Sequence, residues 1–228
     1  PRVTGTVTLG NNTTLGGFNI TGFAGLGVFG TGLRNVTIQD NVITALGGND
    51  GIVLDGNLTG AVTIRRNAIG TGTKLGMFVA PGQAVATPLT IDISNNTVQN
   101  TTDTGIRVQP GGNTTATATI ANNTVTNTTF IGIDAISESN SPFRVQIDNN
   151  QVNNVQSPGG ARIGIRVISA TAQMFASVTN NRVANPNAYI PNAQVEYEIV
   201  SLGTGTLCSR LLNNTASLSG YEFRRLSG

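Results

Sequence analysis

Apolar and polar residues alternate along this chain in short runs, and the runs return in the same order. One phrase is a β-branched strand of period two, two polar positions, an Asn, and an apolar residue two further on. It reads VTIQDNVI (36–43), VTIRRNAI (62–69), IDISNNTV (91–98), ATIANNTV (118–125), VQIDNNQV (145–152), ASVTNNRV (176–183) and SRLLNNTA (209–216). A looser copy, TVTLGNNTTL (6–15), offers Asn12 as its asparagine. A second phrase follows the first, a Gly and then an apolar–variable–apolar triplet: GIVL (51–54), GMFV (76–79), GIRV (105–108), GIDA (132–135) and GIRV (164–167), degenerating to EYEI (196–199) and GYEF (220–223). Each period therefore holds two or three short strands and no stretch of helical periodicity, which predicts an all-β fold.

The aligned asparagines are Asn41, Asn67, Asn96, Asn123, Asn150, Asn181 and Asn214, separated by 26, 29, 27, 27, 31 and 33 residues. A repeat of that length predicts a solenoid, in which parallel strands put like position on like position at ~4.8 Å per turn. About eight such turns fit the chain, and right-handed winding is the default for parallel crossovers. Three inward columns follow: Ile38, Ile64, Ile93, Ile120, Ile147, Val178, Leu211; then Ile43, Ile69, Val98, Val125, Val152, Val183, Ala216; then Ile52, Met77, Ile106, Ile133, Ile165, Tyr197, Tyr221. The asparagines form a fourth. Each carries amide donors and acceptors for its equivalents above and below, and each tolerates the left-handed backbone of a sharp corner. They are read as a structural ladder.

The [VI]-x-I-x-x-N-x-[VI] phrase followed by G-I-x-V resembles the repeat of the right-handed parallel β-helix in the pectate-lyase-like superfamily, over residues 3 to 223. The resemblance implies the fold. It leaves function open, because polysaccharide lyases, polygalacturonases, epimerases, phage tailspikes and non-enzymatic adhesin passengers share that fold.

Composition narrows the choice. Histidine is absent and no two acidic residues are adjacent, which removes His triads and His metal sites. The resemblance implies clustered carboxylates for calcium in lyases and paired aspartates in hydrolases, and no positions here match either. No catalytic residue, metal site or cofactor is assigned, and an enzyme is the less favoured class. GGNDG (47–51) occurs once, without the repeating spacing of calcium-binding nonapeptides, and reads as a tight turn. Formal charge is +2 with scattered basic residues, so a nucleic-acid partner is not expected. A single cysteine, Cys208, excludes an internal disulfide. No stretch approaches the ~20 apolar residues of a membrane span. No signal peptide opens the chain, so any export or anchoring segment is expected outside residues 1–228.

Two places remain for binding. The variable residue of the glycine phrase points outward and reads Val53, Phe78, Arg107, Asp134, Arg166, Glu198, Glu222. Alternating signs suit a solvated charge ladder, the preferred reading. The competing one is a ligand stripe of Asp134 between Arg107 and Arg166. The segments between the second strand and the glycine phrase also lengthen in two consecutive turns, at 153–163 and 184–194. They bring Arg162, Asn185, Asn187, Tyr189 and Asn192, a set suited to sugar hydroxyls; a third longer segment spans 80–90. No capping helix is apparent at either end, which fits a cut from a longer solenoid or copies stacked end to end. The sequence thus predicts one β-helix domain over 1–228. Its expected role is that of an exported bacterial cell-surface or extracellular protein, structural or adhesive, with itself or a surface polysaccharide as partner. The alternative is a carbohydrate-binding or polysaccharide-degrading protein.

Overall fold

The computed structural model of the chain describes residues 1–45, 49–70, 72–82, 88–156, 162–184, 194–217 and 220–226. Strands pair only in parallel, each with its equivalents one coil before and one coil after, in three sheets of nine, nine and eight strands. There is no helix among the described residues. The first sheet is narrow, with strands such as Val42–Thr44 and Thr97–Gln99. The second carries the glycine phrase, as in Thr104–Val108 and Ile131–Ser137. The third carries the strand ahead of the ladder asparagine, as in Leu89–Ser94 and Phe143–Asp148. This is the expected all-β parallel solenoid.

All three expected apolar columns are in register. Ile64 sits on Ile38 and under Ile93, Val98 on Ile69, and Ile133 on Ile106. From Ile38 to Val178 the third-sheet column is fully buried. Burying branched aliphatics coil upon coil yields one core along the molecule, which no single coil could enclose.

The glycines of the second phrase are fixed by packing. A Cβ on Gly132 would lie 2.3 Å from Val152 Cγ1 and 2.6 Å from the Gly164 carbonyl oxygen, and Gly51, Gly76, Gly105 and Gly164 are as crowded. The column breaks at Glu196, one coil after Gly164. There the apolar residue of the first sheet shrinks from Val183 to Ala216, its register partner. Space opens for the fully buried Tyr197, whose ring stacks on Tyr221 at 4.8 Å and whose hydroxyl lies 3.0 Å from the Asn181 carbonyl. The Glu196 carboxylate accepts from the backbone N–H groups of Ser217 and Gly220 at 2.7 and 2.9 Å.

The asparagine ladder forms as expected. Asn96 donates its backbone N–H and its Nδ2 to Asn123 Oδ1 at 2.9 and 3.0 Å, and Nδ2 also donates to the Ile64 carbonyl at 2.8 Å. The same pattern runs from Asn41 to Asn214. Two details differ from the sequence reading. The left-handed residue at the corner is the one before each ladder asparagine: Asp40, Arg66, Asn95, Asn122, Asn149, Asn180 and Asn213 have φ between 51° and 58°. The ladder asparagine is freed from that task and turns its amide inward. Asn12 is also not the first rung. It lies at another corner beside Asn35, which donates to it at 3.1 Å, and Phe18 occupies the rung position with its N–H on Asn41 Oδ1 at 3.0 Å. The first coil is shorter than the rest: Leu15 pairs with Ile38, 23 residues on.

A second amide ladder that the sequence reading did not assign follows the narrow sheet. Asn127 donates to Asn100 at 2.9 Å and Asn154 to Asn127 at 2.6 Å, all three left-handed. Toward the last coil the packing opens, and Leu212, Tyr221, Phe223 and Leu226 are exposed.

Candidate functional site

Strand alternation puts Ile106 and Val108 inside and turns Arg107 to the outer face of the second sheet. Asp134 sits directly on it, and Arg166 on Asp134. Arg107 Nε donates to Asp134 Oδ2 at 2.9 Å. Arg166 donates Nε to Oδ1 at 2.9 Å and Nη2 to Oδ2 at 2.8 Å. Asp134 is 0% exposed while the two arginine side chains keep 22% and 21%. Arg107 Nη2 also reaches Thr104 Oγ1 at 3.2 Å, and that hydroxyl donates to Asp103.

The expectation of a solvated ladder is therefore corrected at this column. Alternating sign is present, but its central carboxylate is buried and clamped from both sides. Val53 and Val200 alternate outward too, and they are 6% and 4% exposed, so outward placement on this sheet does not mean exposure. Charge-assisted bonds in such surroundings are stronger than exposed ones. Burial opposes the charge on Arg166, and its bonds to Asp134 more than offset that, so its pKa is raised. Chemically the cluster is closed: both carboxylate oxygens accept guanidinium N–H groups, which suits a brace between coils better than a general base.

The column continues through Glu198 and Glu222. Glu198 is 7% exposed with Arg224 Nη1 3.8 Å from its Oε1. Burial raises its pKa above the ordinary carboxylate range; Arg166 and Arg224 oppose that, while Glu222 and Asp134 reinforce it. A raised folded-state pKa contributes stability below the unfolded value that is lost as pH rises through the folded one. Glu198→Gln is accordingly expected to melt higher than the parent at pH 8 and together with it at pH 4. Thermal melts at the two pH values check this, and a lower melting point for the variant at pH 8 would show that the arginines outweigh burial.

Of the loop residues, Arg162 lies at the start of the strand Arg162–Ser169, four positions before Arg166 on the same strand. Its Nε is buried without a hydrogen-bond partner. Asn185, Asn187, Tyr189 and Asn192 lie outside the described residues, as do 47–48 of the GGNDG turn and 83–87 of the third longer segment. No three His, Cys, Asp or Glu side chains among the described residues could share a metal ion. No helix of the described residues is long and apolar enough to cross a membrane.

The outer face of the third sheet holds a feature the sequence reading passed over. Arg144 lies over the Phe175 ring, 4.4 Å from its centroid, at a groove of about 390 Å³. The signal was available: outward positions of the strand FRVQID hold Arg144 and Gln146, and the next two coils add Phe175, Ser177 and Arg210.

No family model and no curated protein matches the chain. Among solved structures, a double mutant of the periplasmic alginate epimerase AlgG is similar over 97% of this chain and 50% of that one, at 18% identity and a TM-score of 0.43. The chain thus spans half the length of that protein, and the likeness carries no argument about activity.

Proposed function

We propose that this is an exported structural or adhesive β-helix protein: a stalk, passenger or fibre subunit of pectate-lyase-like architecture that presents regular faces rather than a reaction centre. The observation behind this reading is the closed Arg107–Asp134–Arg166 cluster. Asp134, fully buried on the second sheet, braces three coils together and offers no open carboxylate. Two other acids are also engaged, Asp40 by Arg66 at 2.7 Å in an exposed pair and the buried Glu196 by backbone donors. Leu212, Tyr221, Phe223 and Leu226 are exposed on the last coil described, an apolar set suited to packing against a further coil, whether of this chain or of another copy.

Electron microscopy and light scattering over a concentration series test the assembly part. Particles that lengthen with concentration, and that stop lengthening in a Phe223→Asp, Leu226→Asp variant, are the expected result. Constant length would remove the fibre subunit from the reading. Release of sugar fragments from any polysaccharide by the purified protein would overturn the reading as a whole.

A further inference from the structure

The groove on the third sheet is walled by outward side chains of four successive coils, among them Thr119, Arg144, Gln146, Phe175, Ser177 and Arg210. Four coils cover three strand spacings, ~14 Å, so it is an elongated trough along the solenoid axis. Its two cations differ from those of the second sheet. Arg107 and Arg166 are held by Asp134, whereas neither Arg144 nor Arg210 forms an ion pair among the described residues. Arg144 is steadied instead by the half-buried Phe175 ring. Both guanidiniums are exposed; the nearby carboxylates are Asp92, one coil from Thr119, and Asp148, two positions beyond Gln146 and held by the Thr179 hydroxyl and Asn180 Nδ2.

We infer that this trough binds an acidic glycan in extended form, with Arg144 and Arg210 taking its carboxylate or sulfate groups and Phe175 giving an apolar plate for a sugar ring. The inference rests on the adhesive half of the reading above and names the partner class. Hydroxyl and amide side chains each donate and accept, as sugar hydroxyls do. The third-sheet strands at this trough from Ala116 to Thr179 are paired on both sides, and the unpaired edge of Thr206–Leu212 lies only at its far end, so an extended peptide lying along the trough finds no edge there to add to. Two arginines fall short of the basic track a nucleic acid needs.

Affinity electrophoresis in gels containing hyaluronate, chondroitin sulfate, dextran or polyglutamate tests it on the whole chain. Retention by hyaluronate or chondroitin sulfate is expected, with none by dextran and weaker retention by polyglutamate. Hyaluronate carries carboxylate alone and chondroitin sulfate carries carboxylate and sulfate, so retention in both shows that carboxylate suffices, and retention in chondroitin sulfate alone shows that sulfate is required. Arg144→Ala with Arg210→Ala should weaken retention at least tenfold with an unchanged melting temperature, and Phe175→Leu should weaken it with both charges kept. If the double variant unfolds, Arg210→Gln alone must still weaken binding severalfold. The inference fails if neither acidic glycan is retained, if dextran or polyglutamate is held as tightly, or if the folded double variant binds unchanged. Cleavage of the glycan is read separately, as fragment release. It would overturn the non-catalytic reading while the arginine variants still decide whether the trough is where the glycan sits.

Discussion

Replacing Asp134 by Ala is expected to lower stability by about 3–5 kcal/mol, the cost of removing one partner from a buried ion cluster. In a chain of this size that corresponds to a fall in melting temperature on the order of 10 °C. The physical reason lies in what remains. Arg107 and Arg166 flank Asp134 on the outer face, each mostly buried. Without the carboxylate they would be two like charges, two coils apart with a cavity between them. Solenoids unfold coil by coil rather than all at once, so the loss should be local as well as global. Amides of Thr104–Val108, Ile131–Ser137 and Arg162–Ser169 should lose hydrogen-exchange protection before those of distant coils. A triple variant, Arg107→Leu, Asp134→Leu and Arg166→Met, should recover most of the loss, because apolar residues of similar size replace buried ion clusters at little cost. A change below 1 kcal/mol in Asp134→Ala would mean that the cluster is solvated after all, and the outer face would again be open to a ligand-stripe reading.

Solvation of that column is also where the sequence stopped being informative. Alternation fixes which side of a strand a residue faces, so the inward columns and the outward place of Arg107, Asp134 and Arg166 were all readable. Depth on the outer side is another matter. It depends on how far arginine stems lie down over their neighbours and on apolar outward residues such as Val53 and Val200, and a period of two carries neither. The corner was misread for a related reason. Sequence shows paired polar residues, as in Asn122–Asn123, without saying which takes the left-handed backbone, and the structure gives that place to the first of the two. Asn12 was misplaced because a motif match ignored coil length, and its nearest amide partner is Asn35 rather than Asn41. The trough was legible in principle, since its residues alternate with a column already identified. Sequence alone points instead to segments of variable length, where binding residues are most often carried. Four of those loop residues lie outside the described residues, so the loop site stays a proposal for mutagenesis.

The ladder gives the other large effect. Asn123→Ala removes the acceptor for the Asn96 backbone N–H and Nδ2 and the donor to the Ile93 carbonyl. Asn96 and Asn123 are each 1% exposed, so water cannot stand in for the lost amide. At about 1–3 kcal/mol for each orphaned buried group, the expected destabilisation is ~3–6 kcal/mol by denaturant unfolding. Asn214→Ala should cost clearly less. That rung is itself half-buried in the last coil, so water can take the place of its amide more readily than between two coils. Asn123→Asp separates hydrogen bonding from shape. It keeps the acceptor for Asn96 but loses the donor to Ile93, and it faces Asn150 Oδ1 with a charge. A carboxyl buried there is driven toward its protonated form. Its folded pKa lies above the unfolded one, so this variant should be most stable at low pH and lose stability, relative to the parent, as pH rises through the folded value. Equal cost for Asn123→Ala and Asn214→Ala would show that the ladder acts through backbone conformation at the corner. Unequal cost together with the pH-dependent aspartate would show that the continuous chain of buried amides itself holds one coil on the next.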